Sequence, residues 1–386
     1  MANLLSIVVP TKDRYVYLKS LVQLIDHFDD SIKKELELVI QDNSTDNSQF
    51  LNYIKEHSFP FVSYFYNKEQ LSMSYNSDLA ILNAKGKYIC FIGDDDGVSR
   101  YIVDCAKWMD KNGVRIVKSA LTVYKWPSFV SPKHYDLCSS LLFNDYRGAI
   151  TKVDCVQSLE SLIKSGFESL AKMPKVYNGI VSKEILQKIY NKCGTFFPGP
   201  SPDMANAVAL ALSEKEYTYI DYPIIIGGHS SNLGGGANRY KHKYGPLEEQ
   251  AFIDKKEIDN WVPKLPKIWA SRTVWPESAI TAFKAMDKTE YLNKIDYEEL
   301  YRKMLIDHPE LYRIILPLSS NKTKLLLKAF TSYTVGKLFG LRAYFDFKKN
   351  NRYGGQKIHR SFEDIIQAEN YLSTIDKVNP FVETNL

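Results

Sequence analysis

The chain has 386 residues, of which 45% are hydrophobic and 25% are charged, so it can hold two domains and build its own core. Its net charge of +5 gives only a weak preference for anionic partners, well short of the charge typical of nucleic-acid-binding proteins. The five cysteines are scattered and include no CxxC pair, which argues against a disulfide framework or a zinc site and favours a reducing cytosol.

The first residues, MANLLSIVVPTKDR, lack the basic start and the long apolar run of a secretory signal. No segment approaches the roughly 18 apolar residues of a membrane-spanning helix. We therefore expect a cytoplasmic protein.

Strand patterns and helix patterns alternate through the first 110 residues. The predicted strands are Leu4–Pro10, Glu37–Ile40, Phe61–Tyr66 and Tyr88–Ile92. The predicted helices are Tyr15–Phe28, Gln49–His57, Ser72–Ala84 and Tyr101–Asn112. This alternation predicts right-handed crossovers and a mostly parallel sheet flanked by helices.

The next part of the chain is more irregular. We predict strands at Arg115–Tyr124 and Tyr217–Ile226, a short strand or extended turn at Tyr177–Ser182, a loop at Lys125–Arg147, and helices at Val153–Ser165 and Ala205–Leu212. Ser201 and Pro202 suit the N-cap and first position of the last helix. The glycine-rich segment Gly227–Asn238 predicts a flexible loop, and its part Ser230–Asn238 could fold over the donor as a lid or form a flexible connection. Beyond it helical patterns dominate, which places a domain boundary near residue 240 and divides the chain into domains 1–240 and 241–386.

The segment Lys87–Gly97 reads KYICFIGDDDG, a mostly apolar run followed by Gly93 and then Asp94, Asp95 and Asp96. In open α/β sheets, ligands lie beyond the carboxyl ends of the strands. Adjacent carboxylates repel one another unless a cation neutralises them, and such oxygen-rich sites suit Mg²⁺ or Mn²⁺ that carries a substrate's phosphates. The alternative is a solvated acidic turn.

Four pieces of the sequence, taken in order, resemble family-2 glycosyltransferases of the GT-A fold. They are Ile7–Arg14, Val39–Asp46, Asn67 with Asn76, and Tyr88–Asp96. The resemblance implies a Rossmann-like, mostly parallel sheet with a helical C-terminal region. It also implies an inverting, metal-dependent hexosyl- or N-acetylhexosaminyl-transferase that takes sugar from a nucleotide donor, with UDP as the expected nucleotide. The expected acceptor is a hydroxyl of a glycan or lipid-linked glycan in bacterial cell-surface polysaccharide synthesis.

The resemblance also assigns a set of residues to donor binding. That set is Pro10, Thr11, Asp13, Arg14, Asp42, Asn76, Asp94 and Asp95. Pro10 and Thr11 would offer backbone groups to the base, and Asp42 would accept a hydrogen bond from a uracil imide or a ribose hydroxyl. The alternative for 42–46 is an Asx turn with a helix cap, and for Asp78, which lies near Asn76, an exposed helix face is favoured.

For the metal, the family's DxD signature can be placed on Asp94 and Asp96, with Asp96 as the first candidate ligand. Alignment on the strand instead puts Gly93 and Asp95 at the two acidic positions, so the ligand among the three stays open. His229 is a candidate third ligand or diphosphate contact, against a purely structural role. The implied cofactor is Mg²⁺ or Mn²⁺.

An inverting transfer also needs a base that takes the proton of the acceptor hydroxyl. Family members place a catalytic acid at the start of a helix downstream of the metal motif, and Asp203 in PGPSPD matches that position. The alternative is that Asp203 only stabilises the first helical turn through the helix dipole.

The segment 322–352 carries eight Lys or Arg and one Asp among many apolar residues. It could contact the inner face of a membrane, where a lipid-linked acceptor would lie, or pack as ordinary helices. Two other functions remain open: a non-catalytic nucleotide-sugar-binding scaffold subunit, and a sugar-nucleotidyltransferase. The second would need a glycine-rich phosphate loop after the first strand, and the sequence from Pro10 to Arg14 has no glycine.

Overall fold

A computed structural model describes residues 3–130, 137–231, 245–250, 253, 255–375 and 381. Most of the predicted glycine-rich lid and the predicted boundary near residue 240 lie outside these ranges. The helices are α1 (Tyr15–Asp26), α2 (Asp30–Lys33), α3 (Ser48–His57), α4 (Met73–Asn83), α5 (Ile102–Lys111), α6 (Cys155–Lys164), α7 (Lys183–Cys193), α8 (Pro202–Ser213), α9 (Lys255–Asp259), α10 (Ser271–Ala285), α11 (Tyr297–Asp307), α12 (Tyr312–Ile315), α13 (Lys322–Asn350) and α14 (Ile365–Ile375).

The strands belong to two larger sheets and one short pair. They are β1 (Leu5–Thr11), β2 (Leu36–Asp42), β3 (Val62–Tyr66), β4 (Tyr88–Phe91), β5 (Gly97–Val98), β6 (Ile116–Ser119), β7 (Thr122–Lys125), β8 (Ser140–Phe143), β9 (Ile150–Asp154), β10 (Gly179–Ser182), β11 (Glu216–Ile220), β12 (Ile225–His229), β13 (Gly245–Pro246), β14 (Ile268–Trp269), β15 (Arg352–Tyr353) and β16 (Gln356–Arg360).

The main sheet has the order β3-β2-β1-β4-β10-β6-β11-β9, and its first four strands are parallel. Strand β10 runs antiparallel to both of its neighbours. The predicted alternation of strand and helix is confirmed through the first hundred residues, because a helix follows each of β1, β2 and β3, although the short strand β5 lies between β4 and α5. The fold is the predicted mixed α/β architecture.

Two predicted strands are each divided between the two sheets. Arg115–Tyr124 forms β6 in the main sheet and β7 in the second sheet, and Tyr217–Ile226 likewise forms β11 and part of β12. The chain passes from the main sheet to the second sheet at Ala120, whose N–H donates to the carbonyls of Ile220 and Tyr222. The apolar pattern is continuous through both turns, so periodicity alone could not locate them.

The region after residue 240 is mainly helical, as predicted, but it also adds strands. Strand β16 pairs with β8 in the second sheet, and α10 packs against α8. Helix α14 packs against α1, and Arg100 bonds Glu369 at 2.7 Å. In the part of the chain that the structure describes, no helix is long and apolar enough to cross a membrane.

Candidate active site

The carboxyl ends of four parallel strands meet along one edge of the main sheet. The register pairs Thr11 with Asp42 and Asp42 with Tyr66, and β4 lies on the other side of β1. The structure thereby brings the ends of β1 and β2 close to the three aspartates that follow β4. This is the edge at which α/β sheets bind ligands.

The three aspartates are buried rather than solvated. Asp94 and Asp95 are each 3% exposed, and Asp96 is 2% exposed. An acidic turn in solvent does not describe them. Buried carboxylates need hydrogen bonds or counter-charges, and each of the three is supplied differently.

Arg14 compensates the first two aspartates. Its guanidinium bonds Asp94 Oδ1 at 2.9 Å and Asp95 Oδ2 at 2.8 Å, and it donates to Ser230 Oγ at 2.7 Å. Thr11 Oγ1 also donates to Asp94 Oδ2, at 2.7 Å. Burial raises the pKa of Asp94, and Arg14 acts against that rise. Arg14 therefore offsets the negative charges of Asp94 and Asp95.

Asp96 is held mainly by backbone amides. Gly93 N donates to its Oδ2 at 2.8 Å, and Gly228 N donates to its Oδ1 at 2.6 Å. Its pKa is raised by burial and by the charge of Asp95. Both carboxylate oxygens thus fix the turn after β4 against β12.

Strand β12 contacts the aspartates through the residues on either side of His229. A Cβ placed on Gly228 would lie 1.6 Å from the carbonyl oxygen of Asp95, so this position requires glycine. Ser230 donates from N and Oγ to Asp95 Oδ2, at 3.2 and 2.7 Å. Side chains alternate along a strand, so the His229 side chain leaves on the other side, where it contacts Lys125 and lies 6.2 Å from the Phe129 ring.

The predicted metal set of Asp96, Asp94 and His229 is not assembled in this structure. Among the described residues, no three His, Cys, Asp or Glu side chains form a group that could hold a metal ion. Magnesium, however, is commonly bound by one or two carboxylates and completed by substrate phosphates and water. The carboxylates of Asp94 and Asp95 fit that kind of site, whereas both oxygens of Asp96 accept backbone amides.

Asp203 lies in the first turn of α8, after the loop PGPSP. This loop is fixed to α10, because Ser201 N donates to Ser278 Oγ at 2.8 Å, and a Cβ on Gly199 would lie 2.9 Å from the Cα of Ser278. The Ser201 side chain makes no capping hydrogen bond, although Ser201 occupies the N-cap position and Pro202 begins the helix, as predicted. The loop therefore sets the position of Asp203 from outside the main sheet.

Tyr177 lies beside the aspartate turn, since a Cβ on Gly93 would be 3.0 Å from its hydroxyl oxygen, and no sequence pattern predicted this residue. Burial, followed by the charges of Asp96, Asp203 and Asp95, raises its pKa. Its ring lies 5.9 Å from that of Phe91. Tyr177 occupies an isolated β-bridge just before β10, where no sequence motif marks it.

Asp78 holds the start of the same loop. Its carboxylate accepts a hydrogen bond from Phe196 N at 2.9 Å, and it is buried, so the predicted exposed helix face is wrong. Burial raises its pKa to about 6, while hydrogen bonds from Thr195 and Phe196 act against the rise. Asn206 supports the loop from α8, since its Nδ2 donates to the Phe196 carbonyl at 3.1 Å. The chemical character of Asp78 was visible in the sequence, but its burial was not.

Asn76 is also buried, and it lies in the first turn of α4, close to the loop that follows β3. Within the described residues its Oδ1 has no hydrogen-bond partner. Buried acceptors of this kind are rare and usually meet a ligand or water. The amide thus suits a binding role.

Asp42 and Asp13 fasten the two loops at the ends of β2 and β1. Asp42 is fully buried; Tyr15 and Tyr64 donate to its Oδ2 at 2.7 and 2.6 Å, and Ser44 N donates to its Oδ1 at 2.8 Å. The bond from Ser44 N is the Asx turn that the alternative described. Asp13, at a φ of 56°, accepts from Thr45 N at 2.9 Å. Direct contact of Asp42 with a nucleotide base stays a prediction.

The comparisons with known proteins agree with this architecture. The family model described as "Glycosyl transferase family 2" matches residues 6–176. No curated protein matches the sequence significantly.

Two solved structures are among those that align with this chain. Residues 1–349 of TarS from S. aureus, in complex with UDP-GlcNAc, align with 15% identity over 93% of this chain and 97% of that chain, with a TM-score of 0.47. The mannosyltransferase PcManGT from Pyrobaculum calidifontis, in complex with GDP-Man and Mn²⁺, aligns with 13% identity over 86% of this chain and 88% of that chain, with a TM-score of 0.40. The family match includes Asp94, Asp95 and Asp96 but does not reach β12 or Asp203. Residues 6–176 are therefore similar to glycosyl transferase family 2, and the described residues have a mixed α/β fold.

Proposed function

We propose that the protein is an inverting glycosyltransferase that moves a sugar from a UDP-sugar to a hydroxyl of a glycan or lipid-linked glycan in cell-surface polysaccharide synthesis. One observation carries the proposal. Asp94 and Asp95 are buried and paired with Arg14 at the carboxyl edge of the sheet, where the diphosphate of a donor would lie. Asp203, at the start of α8, would supply the carboxylate that an acceptor hydroxyl requires.

The donor would lie along that edge. Pro10, Thr11 and Asn76 would contact the nucleotide, whereas Asp13 and Asp42 would act by holding the loops that surround it. The buried Asn76 Oδ1, which lacks a partner among the described residues, supports this placement.

The diphosphate of the donor would lie against Arg14, Asp94 and Asp95. The Arg14 guanidinium, which bonds both of these carboxylates, would also offset the negative charge of the phosphates. A divalent Mg²⁺ or Mn²⁺ held by Asp94 and Asp95 would offset the charge of the leaving diphosphate. Asp96, which bonds Gly93 and Gly228, would keep the turn in place.

The proposed chemistry is a single displacement. The Asp203 carboxylate takes the proton of the acceptor hydroxyl as the hydroxyl oxygen forms a bond to the anomeric carbon. The bond from that carbon to the diphosphate oxygen breaks, and the nucleoside diphosphate leaves with the electron pair. Attack from the opposite face inverts the configuration. The positive end of α8 favours the ionised carboxylate, which is the form that a base requires.

The test is a screen of nucleotide-sugars with the full chain. Thermal stabilisation by UDP with Mn²⁺ is measured first, and release of UDP from each donor is measured second. We expect stabilisation and slow donor hydrolysis with at least one UDP-sugar. Stabilisation with no turnover of any donor, with or without glycan acceptors, would indicate the binding-only scaffold subunit instead.

A further inference from the structure

Helix α13 is fixed to the protein at its two ends. Near its start, Leu325 and Ala329 are buried in the main core beside α11. Near its end, Phe347 is buried in a small apolar cluster under β7, β8 and β16 that includes Phe129 and Ile358. The 16 residues 330–345 between these anchors span about 24 Å of helix.

The middle of α13 exposes large apolar side chains. Phe330, Leu338 and Phe345 are 68%, 67% and 68% exposed. A Cβ placed on Gly336 or Gly340 would meet no described atom within 4 Å, so the side of the helix that carries these glycines is also separated from the rest of the protein. Such an exposed apolar surface usually marks a contact with another molecule or a membrane.

Most of these side chains share one side of the helix. At 100° per residue, eight of them fall within an arc of about 140°. They are Leu326, Leu327, Phe330, Tyr333, Leu338, Leu341, Tyr344 and Phe345. Lys324, Arg342 and Lys349 lie along one border of this arc, and Lys337 and Lys348 lie within it, where long side chains can direct their charge outward.

The charge of residues 322–352 indicates which kind of partner the exposed face of α13 contacts. Residues 322–352 contain eight Lys or Arg and a single acid, Asp346. Two copies of α13 packed face to face would bring these cations together, which is unfavourable. In an anionic bilayer, the apolar side chains of α13 would lie among the acyl chains, and its Lys and Arg side chains would contact the negatively charged headgroups.

We infer that the exposed face of α13, residues 326–345, lies on the surface of an anionic phospholipid bilayer. The helix would lie in the plane of the interface, since it is too polar to span. The C-terminal end of α13 lies near β12, because Phe129 of the same apolar cluster packs against Lys125 and His229. Contact with a bilayer would thereby hold the candidate active site near lipid-linked molecules. The inference does not depend on the proposed function.

The test is flotation of the full chain with vesicles of phosphatidylcholine alone or of an equimolar mixture with phosphatidylglycerol. We expect binding to the anionic vesicles only, weakened by high salt. The combined variant Phe330→Ser, Leu338→Ser, Phe345→Ser should lose about tenfold or more in vesicle affinity. The matched control Leu121→Ser with Val156→Ser removes exposed apolar groups elsewhere and should bind like the wild type.

Three outcomes would overturn the inference. The wild-type chain could fail to bind anionic vesicles, or the triple variant could bind as well as the control. Alternatively, sedimentation equilibrium could reveal a dimer that the triple variant abolishes, without vesicle binding, which would assign the face to a second copy. Thermal stabilisation by UDP, measured on the same samples, reports the donor site separately, so failure of one proposal is not mistaken for failure of the other.

Discussion

The adjacent glycines of β12 offer a sharp test of how the site is built. A Cβ on Gly228 would lie 1.6 Å from the Asp95 carbonyl oxygen, which also accepts a hydrogen bond from Trp126 Nε1 at 2.9 Å. A Cβ on Gly227 would meet only Thr122 O at 3.6 Å and Asn178 Nδ2 at 3.8 Å, which are ordinary contacts. Two substitutions of the same chemistry, one residue apart, should therefore behave differently.

The magnitude follows from the distances. To reach an ordinary contact of about 3.4 Å, Gly228→Ala would have to separate β12 from the aspartate turn by roughly 1.8 Å. That movement would strain the packing and break the 2.6 Å bond from Gly228 N to Asp96. Overpacking and the loss of a hydrogen bond to a carboxylate together cost about 3 to 5 kcal/mol of unfolding free energy. Gly227→Ala should change that free energy by less than about 1 kcal/mol.

Urea unfolding followed by tryptophan fluorescence measures both variants, and thermal stabilisation by UDP with Mn²⁺ measures the donor site. We expect Gly228→Ala to be the less stable protein and to lose stabilisation by UDP. Equal stability and equal UDP binding for the two variants would refute the close contact between β12 and the aspartates.

Further predictions concern the buried charges. Burial raises the pKa of Asp78 to about 6, so ionisation of Asp78 lowers the stability of the fold as the pH rises from about 4 through 6. Asp78→Asn should therefore add about 1 to 3 kcal/mol to the unfolding free energy at pH 8 but little at pH 4. A difference that stays constant across that pH range would contradict this prediction. Arg14→Gln leaves Asp94 and Asp95 without their counter-charge and should cost about 3 to 5 kcal/mol in urea unfolding. Mn²⁺ should raise the melting temperature of that variant more than it raises that of the wild type, and equal shifts would argue against a cation at these carboxylates.

The order of elements and the clustering at the sheet edge could be predicted because they follow from local patterns. Alternating strands and helices predict parallel strands, and parallel strands bring Thr11, Asp42 and the aspartates to one edge. The strand boundaries at Ala120 and after Ile220 could not be predicted, since they depend on which sheet each half joins.

The division of labour within the site also depends on tertiary contacts. Asp96 accepts a backbone amide from β12, whereas Asp94 and Asp95 face Arg14 at the start of α1, and both partners lie far away in sequence. Tyr177 lies in an isolated bridge and carries no motif, so only the fold places it beside the aspartate turn. Single residues of this kind show no periodicity from which a role could be predicted.

The variant Asp203→Asn tests whether Asp203 is the base in sugar transfer. The matched control is Glu184→Gln, which removes an acid from the first turn of α7 and so loses the same helix-dipole stabilisation away from the site. With an active donor and acceptor, we expect Asp203→Asn to keep thermal stabilisation by UDP and Mn²⁺ while the transfer rate falls at least about a hundredfold, and Glu184→Gln to transfer normally. Near-normal transfer by Asp203→Asn would contradict the account and leave the carboxylate a role in helix stability alone.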